Sequence, residues 1–154
     1  MNKLDRTDRA ILRELQLDGR LSVTELAARI HLSKTPAHAR LKRLIEEGYI
    51  RGFRANIDHV KLGLGHVAFV QIKLSDTRAP ALEAFNEAVY KLAAVEQCHM
   101  IAGAFDYLLK VRSADIAEYR RMLGEEIARL PHVAQSSTFV SMEAVKESGD
   151  TPAI

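Results

Sequence analysis

The chain predicts an α+β fold made of two units in series, an all-helical one followed by a mixed one. Three observations lead there. Apolar residues recur at helical spacing over residues 4–45. From residue 66 onward, strand-like alternation takes turns with helical spacing. The charge balance also reverses between the two: residues 1–58 hold 12 Lys or Arg against 8 Asp or Glu, and residues 59–154 hold 10 against 12. A net of +4 followed by −2 suggests that the first unit meets a polyanion and the second does not.

Leu4, Ile11, Leu12 and Leu15 form one stripe of a first amphipathic helix. Asp18-Gly19-Arg20 ends it, because glycine takes the left-handed conformation favoured at a helix C-terminus. Ser22-Val23-Thr24-Glu25 is a capping box, in which the serine hydroxyl and the glutamate carboxylate each accept the other's backbone N–H. The second helix is short, with Leu26, Ala27 and Ile30 inward, and His31-Leu32 breaks it. Ser33 is the N-cap candidate of a third helix, and Pro36 lies in its first turn, where a missing N–H does little harm. That helix buries Ala37, Leu41, Leu44 and Ile45. Its opposite face carries Thr35, Ala39, Lys42 and Arg43, with Lys34 and His38 toward the start. Gly48 closes it, and Tyr49–Ile57 alternates loosely enough for a strand or small wing.

Three short helices with a tight turn between the second and third make a helix-turn-helix unit of winged-helix type. The major groove admits one α-helix, and the helix before it braces that one against the DNA backbone. Thr35 and Ala39 are small enough for close approach, and their methyl groups suit thymine methyls. Lys34, His38, Lys42 and Arg43 reach phosphates or base edges. Arg51 and Arg54 add phosphate contacts from the wing. With Ser33, Pro36 and Arg40 these residues form the candidate DNA-binding set, inside a run, Lys34–Arg54, where six basic residues face only Glu46 and Glu47. The plainer reading is a three-helix interaction module whose basic face is only solvated.

Val60-Lys61-Leu62-Gly63-Leu64-Gly65 follows, a glycine-bearing hinge whose core is residues 61–65, between a first domain of residues 1–60 and a second of residues 66–147. His66–Leu74 is a strand with Ala68, Val70, Ile72 and Leu74 on one face. Ser75–Pro80 turns into a helix with Leu82, Phe85, Val89 and Leu92 inward. Val95–Ala102 and Phe105–Arg112 are strands joined at Gly103-Ala104 as a tight hairpin. Ser113 caps a helix burying Ile116, Tyr119, Leu123 and Ile127, Pro131 follows its end, and Val133–Val145 is the last strand. The order βαββαβ describes a ferredoxin-like sandwich, with two helices on one face of a four-stranded antiparallel sheet. The uncovered face, carrying Phe69 or Met100 according to the pleat, calls for self-association, most simply a two-fold dimer. A dimer presents two recognition helices to a pseudo-palindromic site.

The remaining features narrow the class. No apolar stretch reaches the roughly 18 residues of a membrane span, and Met1–Arg6 lacks the apolar core of a signal peptide. A single cysteine, Cys98, leaves no internal disulfide. A cytoplasmic protein with no membrane partner is expected. Met100, Met122 and Met142 read as core or interface filling. The tail, residues 148–154, carries Gly149 and Pro152 and is expected to be poorly ordered.

Several stretches together resemble the Lrp/AsnC family, the leucine-responsive or feast/famine regulators. They are Leu4–Leu12, the Leu32–Arg54 run from Leu-Ser-Lys-Thr-Pro to Glu-Gly-Tyr-Ile-Arg-Gly-Phe-Arg, Lys61-Leu62-Gly63, and Cys98–Lys110. The likeness covers about residues 3 to 147. The position of Ala37 departs from it, being often bulkier or β-branched in the family. The resemblance implies a sequence-specific regulator of transcription, a ferredoxin-like second domain, and dimers that often assemble into octamers. It also implies an amino acid or related effector bound between subunits. The implied effector loop is Met100, Ile101, Gly103, Ala104, Phe105, Asp106 and Tyr107, with Gln135, Ser136, Ser137 and Thr138 of the neighbouring subunit opposite. The chemistry suits a zwitterion: Asp106 for the ammonium, backbone N–H of Gly103 and Ala104 with Ser136 or Thr138 for the carboxylate. The same glycine and aspartate are also ordinary hairpin residues.

The same residues admit rival functions. Some haem-biosynthetic decarboxylases resemble this family, but His66, His99 and His132 share no metal-ligand spacing, and the adjacent Cys98 and His99 point to opposite faces of a strand. The expectation is no catalytic residue, no cofactor and no metal. Two rivals outside catalysis are a ligand-binding assembly module and an architectural DNA-binding protein without effector response.

Overall fold

Asp5 opens the first helix in the computed structural model, which describes residues 4–147. The tail 148–154, for which disorder was expected, lies outside the described residues. Helix α1 (Arg6–Leu17) starts with a capping box of two aspartates: Asp5 Oδ1 accepts the Asp8 N–H at 2.8 Å and Asp8 Oδ2 accepts the Asp5 N–H at 3.1 Å. Helix α2 (Val23–Arg29) carries the expected box, Glu25 N–H to Ser22 Oγ at 3.2 Å and Ser22 N–H to Glu25 Oε2 at 2.8 Å. His31, at φ 55°, makes the turn, and α3 (Lys34–Glu46) follows. Ile11, Leu15, Leu26 and Leu44 form the core of this three-helix unit.

Two expectations about this unit need correction. Ile45 is 45% exposed, because one helical step of about 100° carries it past the buried stripe that Leu44 centres. The Tyr49–Ile57 stretch forms no strand, since a strand needs a ladder partner and this segment has none among the described residues. Gly48, at φ +76°, ends α3 in the left-handed conformation that its position predicted.

Among the described residues, those from Leu4 to Asn56 cluster into one compact unit and Ile57–Val145 into another. In the second, strands β1 (His66–Leu74), β2 (Val95–Met100), β3 (Tyr107–Ser113) and β4 (Val133–Val140) alternate with helices α4 (Ala79–Val89) and α5 (Ile116–Glu125) in the expected βαββαβ order. The sheet order is β2-β3-β1-β4, every pair antiparallel. Ala68, Val70, Ile72 and Leu74 project to the helix side and join Phe85, Val89, Tyr107, Leu109, Val111, Tyr119 and Ile127 in one core.

The ends of several elements shift for identifiable reasons. A six-residue loop, Ile101–Asp106, replaces the tight hairpin at Gly103-Ala104, because both the backbone and the side chain of Asp106 are drawn onto the end of β1. Strand β4 stops at Val140, which pairs with Ala68; beyond it the Ser141 N–H donates to the Val67 carbonyl at 2.9 Å. Asp115 caps α5 in place of Ser113, its side chain accepting the Glu118 N–H at 2.8 Å. Ser113 instead bonds the Asp115 carbonyl and His66 Nδ1. Ile116 opens the helix 57% exposed, and Ile127 is buried from a short 3-10 turn, Ile127–Arg129, beyond the helix end. Met122 packs on the core, whereas Met100 and Met142 are exposed in a single copy. Among the described residues no helix is long and apolar enough to cross a membrane.

Candidate nucleic-acid interface and effector loop

The DNA candidates on α3 divide into two groups. Ser33, Lys34, Thr35, Pro36, His38, Ala39 and Lys42 are all exposed or half-exposed. Ala39 leaves room on either side. One shallow cavity of about 350 Å³ is lined by Lys34, Thr35, His38 and Ala39, and another of about 360 Å³ by Pro36, Ala39, Arg40 and Arg43. Ser33 occupies the N-cap position with no capping bond, so its hydroxyl stays available to a ligand. Lys42 reaches toward Glu46 at 3.7 Å, one turn on, a surface pair worth little against a phosphate.

Arg40 and Arg43 form the second group, and they turn back onto α1. Arg40 Nη1 donates to Asp8 Oδ1 at 2.8 Å and to Asp5 Oδ2 at 2.6 Å, while Arg43 Nη2 stands 2.6 Å from Asp8 Oδ2. The Asp8 N–H, then Arg40, hold the Asp5 carboxyl below the usual carboxylate range. Sequence reasoning puts Arg43 on the outer face and Arg40 in the DNA-binding set, and pairs neither with Asp8, 35 and 32 positions earlier. Arg51 and Arg54 are exposed in the extended segment after Gly48, beside Tyr49, Gly52 and Phe53, where they line a cavity of about 600 Å³ with Leu12 and Gln16.

In the second unit the Ile101–Asp106 loop is closed by the Ile101 N–H donating to the Asp106 carbonyl at 2.8 Å. Asp106 anchors it to β1: its N–H donates to the Ile72 carbonyl at 2.9 Å and its Oδ2 accepts the Leu74 N–H at 2.7 Å. Oδ1 has no partner among the described residues. The N–H groups of Gly103, Ala104 and Phe105 donate to no other backbone group among the described residues. Gly103 is exposed, at no positive φ, and an added Cβ meets only Ile101 Cγ2 at 3.6 Å. The fold itself therefore does not require glycine there. Met100 pairs with Tyr107, which is 2% exposed and stacks on Phe85 with ring centroids 4.4 Å apart.

The start of β4 lies at the same end of the sheet, since Gln135 pairs with Lys73 and Val133 with Leu74. The pleat separates its residues. Gln135 and Ser137 lie on the open face. Ser136 and Thr138 lie on the helix face, where Thr138 Oγ1 is 2.6 Å from Tyr119 Oη. Phe69 and Phe139 sit directly opposite one another on the open face, 37% and 54% exposed.

A charged cluster on that face escaped the sequence reading. Glu96 on β2 meets Lys110 at 3.1 Å and Arg112 in a close pair, and Arg112 Nη1 also donates to the Leu64 carbonyl at 3.0 Å. Burial resists ionisation of Glu96, but the bonds from Arg112 and Lys110 prevail and its pKa is lowered. Its only sequence signal was Lys110 and Arg112 standing two apart in a strand. His66, His99 and His132 stand on separate elements: the start of β1, the open face of β2, and a turn at φ 62° before β4.

Comparison with known proteins follows the same division. The family model for the Lrp/AsnC ligand binding domain matches residues 67–151, and that for winged helix-turn-helix DNA-binding matches residues 4–51. The chain is 61% identical to a proline dehydrogenase transcriptional activator of Rhizobium radiobacter, over 95% of this chain and 94% of that one. It is 46% identical to the leucine-responsive regulatory protein of Escherichia coli K12, over 94% and 88%. Among solved structures, an AsnC family transcriptional regulator from Agrobacterium tumefaciens superposes with a TM-score of 0.91 at 35% identity, covering 97% of each chain. A Neisseria meningitidis transcriptional regulator in complex with L-Met does so at 0.90 and 29%, also covering 97% of each.

Proposed function

The chain belongs to the Lrp/AsnC family of DNA-binding transcription regulators, and from that premise we propose that α3 reads duplex DNA while the β2–β3 loop reads an amino acid. One observation carries the DNA half: the exposed side of α3 is lined by small and basic residues on a helix-turn-helix whose other face is packed. Thr35, His38, Ala39 and Lys42 meet base edges, with Ser33, Lys34 and Pro36 at the backbone where the helix enters, and Arg51 and Arg54 on flanking phosphates. Arg40 and Arg43 flank this face, paired with Asp8 of α1.

The effector half rests on Asp106 Oδ1, which suits an ammonium, and on the N–H groups of Gly103 and Ala104, which suit a carboxylate. Gln135 and Ser137 of a second copy, on the open face, are the complementary wall. Ser136 and Thr138 contribute from behind it, Thr138 through Tyr119. That second copy docks over Phe69 and Phe139 to make a two-fold dimer, which further packing extends toward an octamer. The L-Met complex of the Neisseria regulator supports an amino-acid ligand for this domain. The name of the Rhizobium relative supports a proline dehydrogenase gene as target and makes proline the first effector to test. The domains are residues 1–60 and 66–147 joined by 61–65, and the protein works in the cytoplasm, without catalysis, beside the DNA.

The test is titration of the full chain onto the intergenic duplex beside its own gene, and onto a scrambled duplex, across a salt series. Tighter binding to the intergenic duplex, falling with salt, supports the reading. Equal, weak binding to both would remove it.

A further inference from the structure

Asp8 is 1% exposed, and two guanidinium groups of the DNA-facing helix converge on it. Arg43 lies only about 40° around the helix from Ala39 and lines the same surface cavity as Ala39. Its position suits a phosphate contact, yet its Nη2 is held 2.6 Å from Asp8 Oδ2. Arg40 is held twice, at 2.8 Å by Asp8 and 2.6 Å by Asp5. A carboxylate and a phosphate compete for the same guanidinium fork. Both arginine side chains are about one-third exposed, at 32% and 35%, so each has a route to solvent once released. Arg43 Nε is buried with no partner among the described residues, and the pairing with Asp8 runs through Nη2.

We propose that Asp8 is a positioning residue that sets the sequence-independent share of DNA affinity. It withholds Arg40 and Arg43 from the DNA backbone, so that binding depends on the Thr35, His38, Ala39 and Lys42 face. Phosphate contacts add affinity for every sequence alike, whereas base-edge contacts discriminate. Two cations kept off the phosphates lower the affinity for wrong sites and leave the contrast between right and wrong sites intact. This inference rests on the reading of α3 as the DNA-facing helix.

The experiment compares salt dependence for the full-length wild type, K34A, D8N and the double variant D8N/R43Q, each on the intergenic and the scrambled duplex. Asparagine at position 8 keeps shape and a hydrogen-bond acceptor and removes the charge. On the scrambled duplex D8N is expected to steepen the slope of log K against log salt by about 1–2, at ~0.9 per added phosphate contact. Affinity rises on both duplexes together, and the ratio of intergenic to scrambled affinity stays close to that of the wild type. D8N/R43Q returns the slope part of the way to wild type, which a merely structural role of Asp8 would not produce. Should D8N fail to fold, D5N carries the test, because asparagine caps a helix as well as aspartate: it releases one hold on Arg40 and steepens the slope by up to about 0.9. A D8N slope that is unchanged or shallower, with both affinities falling together, overturns the proposal, as does an unchanged D5N slope where D8N does not fold. K34A, which removes a cation placed at the DNA backbone, separates the two levels. If it fails to lower the wild-type slope, the reading of α3 falls and the inference with it; if it lowers the slope and D8N does not raise it, the inference alone falls.

Discussion

At the residue scale, Asp106 combines two roles that one substitution separates. Its Oδ2 fastens the loop to Leu74, and its Oδ1 is the anion offered to an ammonium. D106N keeps an acceptor for the Leu74 N–H and discards the charge, so the loop is expected to persist while amino-acid affinity falls about tenfold or more, the loss of one charge-assisted bond. Calorimetric titration with proline checks it, and undiminished affinity would clear Asp106 of the role. An anion at this loop was legible in the sequence. Its bond to Leu74 was not, because 32 positions separate the two and only the fold joins them. Glu96 makes a second residue-scale prediction. Its pKa is lowered from an ordinary 4.5 by Arg112 and Lys110 acting against burial. The folded protein therefore binds this proton less readily than the unfolded chain. The stability Glu96 contributes is complete above about 4.5 and drains as pH falls through its lower folded value. In urea unfolding the gap between wild type and E96Q should narrow below that pH; a gap constant down to acid would refute the assignment.

At the scale of elements, what was legible is what is local. The Ser22–Glu25 capping box spans four neighbouring residues and is present as read. S22A is expected to cost about 1 kcal/mol, measurable as a lower thermal midpoint, and no change would show the box to be dispensable. The β1 limits His66–Leu74 were readable from strict alternation between two clear breaks. The loop after β2, the end of β4 and the cap of α5 were not, since each depends on which strand or side chain arrives from elsewhere in the chain. The direction in which Arg40 and Arg43 point has the same cause. Helical spacing places Arg43 toward the outer face and Arg40 beside the buried stripe, but a buried carboxylate on α1 decides where both charges go. The open sheet face makes the element-scale test. Phe69 and Phe139 form a facing aromatic pair there, and F69D is expected to shift the protein from dimer to monomer in light scattering. A dimer that survives F69D would place the subunit contact elsewhere.

At the scale of the whole molecule, the two units have different chemistries: one basic and fitted to a polyanion, the other carrying a loop that ends in a carboxylate anchored to β1. The order of elements and the division of charge were both visible in the sequence. What joins the units into a switch is a property of an assembly, and no single-chain pattern encodes it directly. Effector binding between subunits is expected to alter how dimers pack and so the spacing of paired recognition helices, a coupling that must run both ways. Within the second unit Arg112 ties the sheet to the segment before β1, bonding both Glu96 and the Leu64 carbonyl.

The most direct test of the switch records DNA affinity and assembly size together while proline, then each other amino acid, is added to the full chain on its intergenic duplex. One amino acid is expected to shift the binding curve and the light-scattering mass at the same concentration, with D106N abolishing both shifts. An amino acid that binds yet leaves affinity and mass unchanged would contradict an effector-driven change in assembly.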